Sequence, residues 1–288
     1  MKILVSTDTS CLVSVDVLQK NNISVFPLNV IVDGEEFLDG VTINQEQLKE
    51  DMRANKVIKT STPPLGSVIE YFEKLFEKGY DHIIHFTISS KLSSMYNLFS
   101  NVASTNFEGK VTVIDSYALS TVMLSNVLYA KEEVDKGTSI EDICNAIETR
   151  KHDSYVVFIP ENLTALKNGG RISPAIAAVG NIIGLKPILS LTEGELVKIA
   201  MTTTVKKAFM DNIERVKDKY SPDKYDYTLV GFDAKEPIYE ALYTYLLGVD
   251  PDAVKGIIPI NVCAHCGPGT IGIIASPRIN NKSIKEFL

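Results

Sequence analysis

Apolar residues along the chain recur with two alternating periods, a strand-like run followed by a helical stripe. Residues 2–6 read as a short strand, with a helix following up to residue 20. Residues 25–30 are extended and run into Asp33-Gly34, a dipeptide that suits a tight hairpin turn. Leu65, Val68, Ile69, Phe72, Leu75 and Phe76 fall on one helical face, and Met95, Phe99, Val102 and Ala103 on another. Strands are expected at residues 82–87 and 110–114. A long helix is expected from about residue 118, and another from Ser139, where Asp142 three residues on resembles a capping box. Residues 155–159 begin a new strand. A hairpin follows, its arms at 185–191 and 195–203 and its turn near Glu193-Gly194. In the second arm, Val197, Ile199 and Met201 alternate with Lys198, Ala200 and Thr202, which predicts one dry and one wet face. A helix over 205–216, a strand over 227–232, a helix over 239–247 and an extended segment over 257–262 complete an α/β pattern.

At 288 residues the chain is long enough for two domains. The charged break Arg150-Lys151-His152-Asp153 suggests a first domain over 1–150 and a second over 151–288, an approximate boundary, since chains of this kind can cross between domains more than once. Hydrophobic residues make up 45% and charged residues 23%, which suits a protein with a sizeable core. Lys and Arg total 29 against 36 Asp and Glu, a net charge of −7 that disfavours nucleic acid as a partner. No apolar run is long enough to span a membrane, and the first apolar segment is too short for a signal-peptide core. Four cysteines make no disulfide framework. A cytoplasmic protein is expected.

Four polar clusters carry candidate chemistry. Lys59-Thr60-Ser61-Thr62-Pro63 places hydroxyls in an extended loop before a helix, as caps or as donors to an anion. Ser89-Ser90-Lys91-Leu92-Ser93-Ser94 follows a strand and opens a helix, the position where ligands sit in open α/β sheets. Asn168-Gly169-Gly170 ends a helix, and Ser173-Pro174 opens the next. Arg171 stands between them, as an ordinary surface arginine or as a fixed donor to carboxylate or phosphate. Residues 174–185 carry no charge, so that helix is expected either to be buried on every side or to line an apolar cavity.

The fourth cluster is Cys263-Ala264-His265-Cys266-Gly267-Pro268-Gly269-Thr270-Ile271-Gly272. Its glycines match a dinucleotide fingerprint, but residues 271–275 read as a strand where a helix is required. The Cys263–Cys266 pair has no second pair to complete a zinc site. His265 reads either as a plain loop histidine or as a donor and proton-transfer group on a glycine-rich backbone. Nucleotide-cradling, HExxH and GxSxG motifs are absent from the sequence.

In order, the Asp8 start, Thr60-Ser61-x-Pro63, Ser89-Ser90-x-Leu92-Ser93, Val113-Ile114-Asp115-Ser116, Leu166 through Ser173, and Ala264-His265-x-Gly267-Pro268-Gly269 resemble the DegV family over essentially the whole chain. The resemblance implies two α/β domains, with a fatty-acid carboxylate bound at their junction and its chain in an apolar tunnel. It also implies a carrier for a long-chain acid such as palmitate, with no cofactor or metal, that presents the acid to a separate kinase for acyl-phosphate formation. By the same resemblance Thr60 and Ser93 bind the carboxylate and Ser61 supports them. Arg171 and His265 flank the head group and assist docking or phosphoryl transfer. Thr62, Ser94 and Cys266 depart from the residues common in the family (Gln, Gly and Thr). The alternatives are a stand-alone phosphotransferase or hydrolase using His265 and Arg171, and a regulator with a non-lipid ligand.

Overall fold

The structure, a computed structural model, describes residues 1–11, 15–179 and 184–288. The first half supplies strands β1 (Ile3–Asp8), β2 (Ser24–Phe26), β3 (Asn29–Val32), β4 (Glu35–Leu38), β5 (Ile58–Ser61), β6 (His82–Thr87) and β7 (Val111–Asp115). Its helices are α1 (Val15–Lys20), α2 (Gln45–Arg53), α3 (Leu65–Glu77), α4 (Met95–Asn106), α5 (Ser120–Lys136) and α6 (Ile140–Arg150). The second half contributes β8 (Tyr155–Ile159), β9 (Lys186–Thr192), β10 (Glu195–Thr202), β11 (Tyr225–Phe232), β12 (Val254–Ile257) and β13 (Thr270–Pro277). Its helices are α7 (Thr164–Asn168), α8 (Pro174–Val179), α9 (Val205–Val216), α10 (Glu236–Val249) and α11 (Ile260–Cys266).

These strands form three sheets. A parallel sheet of order β2-β1-β6-β7 is followed by a largely antiparallel one of order β10-β9-β8-β13-β11-β12, making two α/β units. β1 and β6 are almost wholly buried, as befits parallel strands covered on both faces. The third sheet, β4-β3-β5, is built on a hairpin whose Asp33 and Gly34 have φ of 50° and 91°, the left-handed pair that a tight hairpin turn requires. α5 lies between the two larger sheets, in contact with β1 and β13, and residues 120–128 of it are all buried. One core therefore includes Val5, Ile84 and Phe86 of the first unit together with Val156, Val230 and Ile274 of the second.

Most expected elements appear within a few residues, including the Ser139 cap, whose hydroxyl accepts from Asp142 N at 3.1 Å. Four expectations change. Thr60 and Ser61 belong to β5 and are paired with Val30 and Asn29, whereas a loop was expected. Residues 260–266 form α11, so His265 sits on a helical turn rather than in a loop, and the strand lies earlier, at Val254–Ile257. In β10 the register shifts between Lys198 and Ala200, leaving Ile199 exposed; this bulge breaks the alternation that the sequence suggested. The uncharged stretch begins with Pro174 and Ala175 exposed, while Ile176 packs against the small cluster of Leu163, Leu166, Ile172 and Leu189. Residues 180–183 of that stretch lie outside the described residues.

Candidate functional site

The carboxyl ends of β1, β6 and β7 open onto one region, where parallel α/β sheets place ligands. Two carboxylates shape the loops there. Asp8 accepts from Ile88 N and Ser10 N, both at 2.8 Å, and Asp115 accepts from Ser90 N at 3.0 Å and Tyr117 N at 3.2 Å. The second unit secures the same region. Ser89 Oγ donates to the Gly194 carbonyl at the tip of the β9–β10 hairpin, at 2.8 Å. Arg171 Nε donates to the Leu92 carbonyl at 3.1 Å. The loop holding Ser93 is thus fixed from both sides.

α11 brings in the remaining groups. His265 Nε2 and Thr60 Oγ1 are hydrogen-bonded at 2.8 Å, although the two residues are 205 positions apart in sequence. Thr62 and Ser94 join their hydroxyls at 2.8 Å, so the two hydroxyl-rich segments meet directly. Gly169 lets the imidazole approach: a Cβ built there would lie 2.2 Å from His265 Nδ1. Gly170, with φ of 68°, provides the left-handed residue that ends α7. Burial, followed by the Arg171 cation, pushes the His265 pKa down to about 4, so its imidazole is neutral at physiological pH.

Between the units runs a cavity of about 120 Å³, within a partly solvent-open space of about 1020 Å³. The cavity is larger than the space of one or two waters. All five residues expected at a site, Thr60, Ser61, Ser93, Arg171 and His265, line it. Its remaining wall is mainly aliphatic, with Ile88, Leu92, Leu119, Leu191, Val230 and Ile274 from both units, and Arg171 is the only charged residue among the described lining. An open groove beside Thr60, Arg171 and His265 extends past Lys56, Lys59 and Asn168. The cavity can therefore take an extended apolar molecule with an anionic or hydrogen-bonding end.

Sequence reasoning missed Asn29, Ser120 and Asn261, which also line the cavity. Asn261 Nδ2 donates to Ser10 Oγ at 2.7 Å, and its backbone N donates to Asp39 Oδ2 at 3.0 Å. Burial pushes Asp39 up to about 7 and Asp8 up to about 6. The available signal was spacing, since Asn261 and His265 are four apart and share a helical face once α11 is recognised. Ser61 Oγ, Ser120 Oγ and Asn261 Oδ1 are buried without a hydrogen-bonding partner among the described residues. Cys263 and Cys266 are buried free thiols, and burial holds Cys263 well above the ordinary thiol range. Among the described residues, no group of three or more His, Cys, Asp or Glu side chains could hold a metal, and no helix is long and apolar enough to cross a membrane.

A family model described as "Uncharacterised protein, DegV family" matches residues 2–278. A DegV domain-containing protein of Streptococcus pneumoniae is 28% identical over 288 residues, covering 97% of this chain and 100% of its own length. Among solved structures, a fatty-acid-binding DegV family protein from Thermus thermophilus is 28% identical, with a TM-score of 0.87 over 96% of this chain and 100% of that one. The Streptococcus pneumoniae Fatty Acid Kinase (Fak) B3 protein, solved loaded with linoleic acid, shares the fold at 18% identity, with a TM-score of 0.79 over 96% and 99%.

Proposed function

Because the chain belongs to the DegV family, we propose that it binds one long-chain fatty acid in this cavity and presents the carboxylate to a separate kinase. The observation that carries the reading is the grading of one cavity, aliphatic along most of its wall, with Thr60, Ser93, His265 and Arg171, the one cation among the described lining residues, on its lining. Thr60 and Ser93 donate to the carboxylate in this reading, with Ser61 supporting them. The cavity is formed between two units, and we place their division near residue 150 and the protein in the cytoplasm.

The energetics favour an acyl chain over a small acid. Burying about 15 methylenes at about 0.8 kcal/mol each gives roughly 12 kcal/mol before the costs of association. Each hydrogen bond to the charged carboxylate adds about 1.5–3 kcal/mol. The tail therefore supplies most of the affinity and the polar end sets orientation. Hydroxyls, a neutral imidazole and one guanidinium suit a carboxylate before transfer and an acyl phosphate after it.

In the transfer, a carboxylate oxygen attacks the γ-phosphorus of the kinase's ATP, the bond to ADP breaks, and acyl phosphate is formed. Arg171 and His265 lie beside the open groove, where they flank the group that leaves with the phosphate. Solvent extraction and mass spectrometry of the purified protein test the binding. One acyl chain per molecule is expected; an empty protein that takes up no added fatty acid overturns the reading. Acyl phosphate formed only when kinase and ATP are both added tests the presentation step.

A further inference from the structure

The cavity floor is one face of the six-stranded sheet, and the pairing register shows what lies beyond its last apolar residue. Val230 is opposite Gly272 and Val156 opposite Ile274, and all four line the cavity. The next positions on that face, moving away from Thr270, are Thr228, paired with Ile274, and Ser276, paired with Asp226. Thr228 and Ser276 are both 0% exposed, and neither hydroxyl has a partner among the described residues. α5 covers this stretch: Ser120 lines the cavity, and Ser125 donates its hydroxyl to the Pro277 carbonyl at 2.5 Å. Thr121, one helical turn before Ser125, is likewise buried with an unpartnered hydroxyl.

Three buried hydroxyls without partners among the described residues, placed by register and helix spacing beyond the last apolar row of the cavity, are costly unless something pairs them, and in native proteins that is ordered water. We propose that Thr121, Thr228 and Ser276 form a water-holding polar seam that closes the deep end of the tunnel and sets the length of acyl chain accepted. The proposal rests on the fatty-acid reading above. From Thr270 to Ser276 the strand runs about 20 Å, and a chain advancing about 1.2 Å per bond covers that with roughly 16 carbons. A longer chain must displace water from hydroxyls that it cannot itself satisfy. A shorter one leaves aliphatic wall uncovered. The seam thus acts by penalising extra length, without a direct contact to the head group.

The test uses the full chain, delipidated and offered an equimolar mixture of saturated acids of 14, 16, 18 and 20 carbons. Bound acids are extracted and counted by mass spectrometry. The double variant Thr228→Val, Ser276→Ala keeps the shape of the seam nearly unchanged while removing its hydroxyls. One or two further methylenes then enter, and the ratio of 18- to 16-carbon acid rises about four- to fifteen-fold over wild type. An unchanged ratio in a folded variant overturns the proposal. A wild-type protein that takes up no acid overturns the fatty-acid reading itself, and the seam's role with it. Should the double variant not fold, a high-resolution crystal structure of wild type decides: water bridging the Thr228 and Ser276 hydroxyls is expected, and a dry, solidly packed seam overturns the proposal.

Discussion

Arg171 and Leu92 are joined across the two units by a hydrogen bond of 3.1 Å from the guanidinium Nε to the backbone carbonyl. A second guanidinium nitrogen donates to the Gly169 carbonyl. The side chain is therefore held in place, and it restrains the loop on which Ser93 sits. Arg171→Ala is expected to retain bound fatty acid, with affinity lowered less than tenfold, while kinase-dependent acyl phosphate falls by a much larger factor. Arg171→Lys should not restore product, because an ammonium lacks the planar fork. A direct titration and a product assay separate the two effects, and undiminished product in the alanine variant removes Arg171 from the transfer step.

Gly169 and His265 are in close contact. In Gly169→Ala the new methyl would stand 2.2 Å from Nδ1, so the imidazole must move away from Thr60. Such overpacking costs about 1–3 kcal/mol, read as a lowered Tm. Adding His265→Ala should recover much of that loss, because the clash goes with the ring. Additive losses in the double variant would show that the strain lies elsewhere.

Ser93→Ala and Thr60→Val each remove one proposed hydrogen bond to the carboxylate. Affinity for a long-chain acid should fall about tenfold or more in each, while the corresponding alcohol should be affected much less, since bonds to charged groups are the stronger ones. Equal losses for acid and alcohol would argue against the carboxylate assignment.

The buried titratable groups predict how stability depends on pH. Burial depresses His265 to about 4 and His85 to about 3, so the folded state favours their neutral forms. Their contribution is present above the ordinary histidine value near 6.5 and is lost as pH falls from there towards 4 and then 3. Burial raises Asp8 and Asp39, so the folded state favours their protonated forms. Their contribution is present below the ordinary carboxylate value near 3.8 and is lost as pH rises through about 6 and about 7. Asp39→Asn keeps an acceptor for Asn261 N and should be more stable than wild type at pH 8, by roughly 1–3 kcal/mol, with little difference at pH 4. Tm measured against pH checks this, and a variant destabilised equally at both values would contradict it.

Local signals told much about the secondary structure. The stripe from Leu65 to Phe76, the Asp33-Gly34 turn and the Ser139 cap reflect forces acting over a few residues, and the structure has all three. β5 is not legible locally because Lys59-Thr60-Ser61 carries no apolar alternation, and its strand state comes from pairing with β3. α11 was hidden by its own composition, since a seven-residue segment with two cysteines and a β-branched valine has weak intrinsic helicity. Its contacts with α7, β5, β3 and α2 hold it in place.

By itself, then, the sequence determined the alternating α/β character, the likeness to one family and the residues rich in hydrogen-bonding groups. All three depend on residue identity and short-range spacing. Only the tertiary structure decided that Thr60 reaches His265, that the Arg171 guanidinium points back to Leu92, and that Thr228 and Ser276 lie on the sheet face that floors the cavity. Those relations depend on strand order and register, in which a shift of one residue turns each side chain to the opposite face.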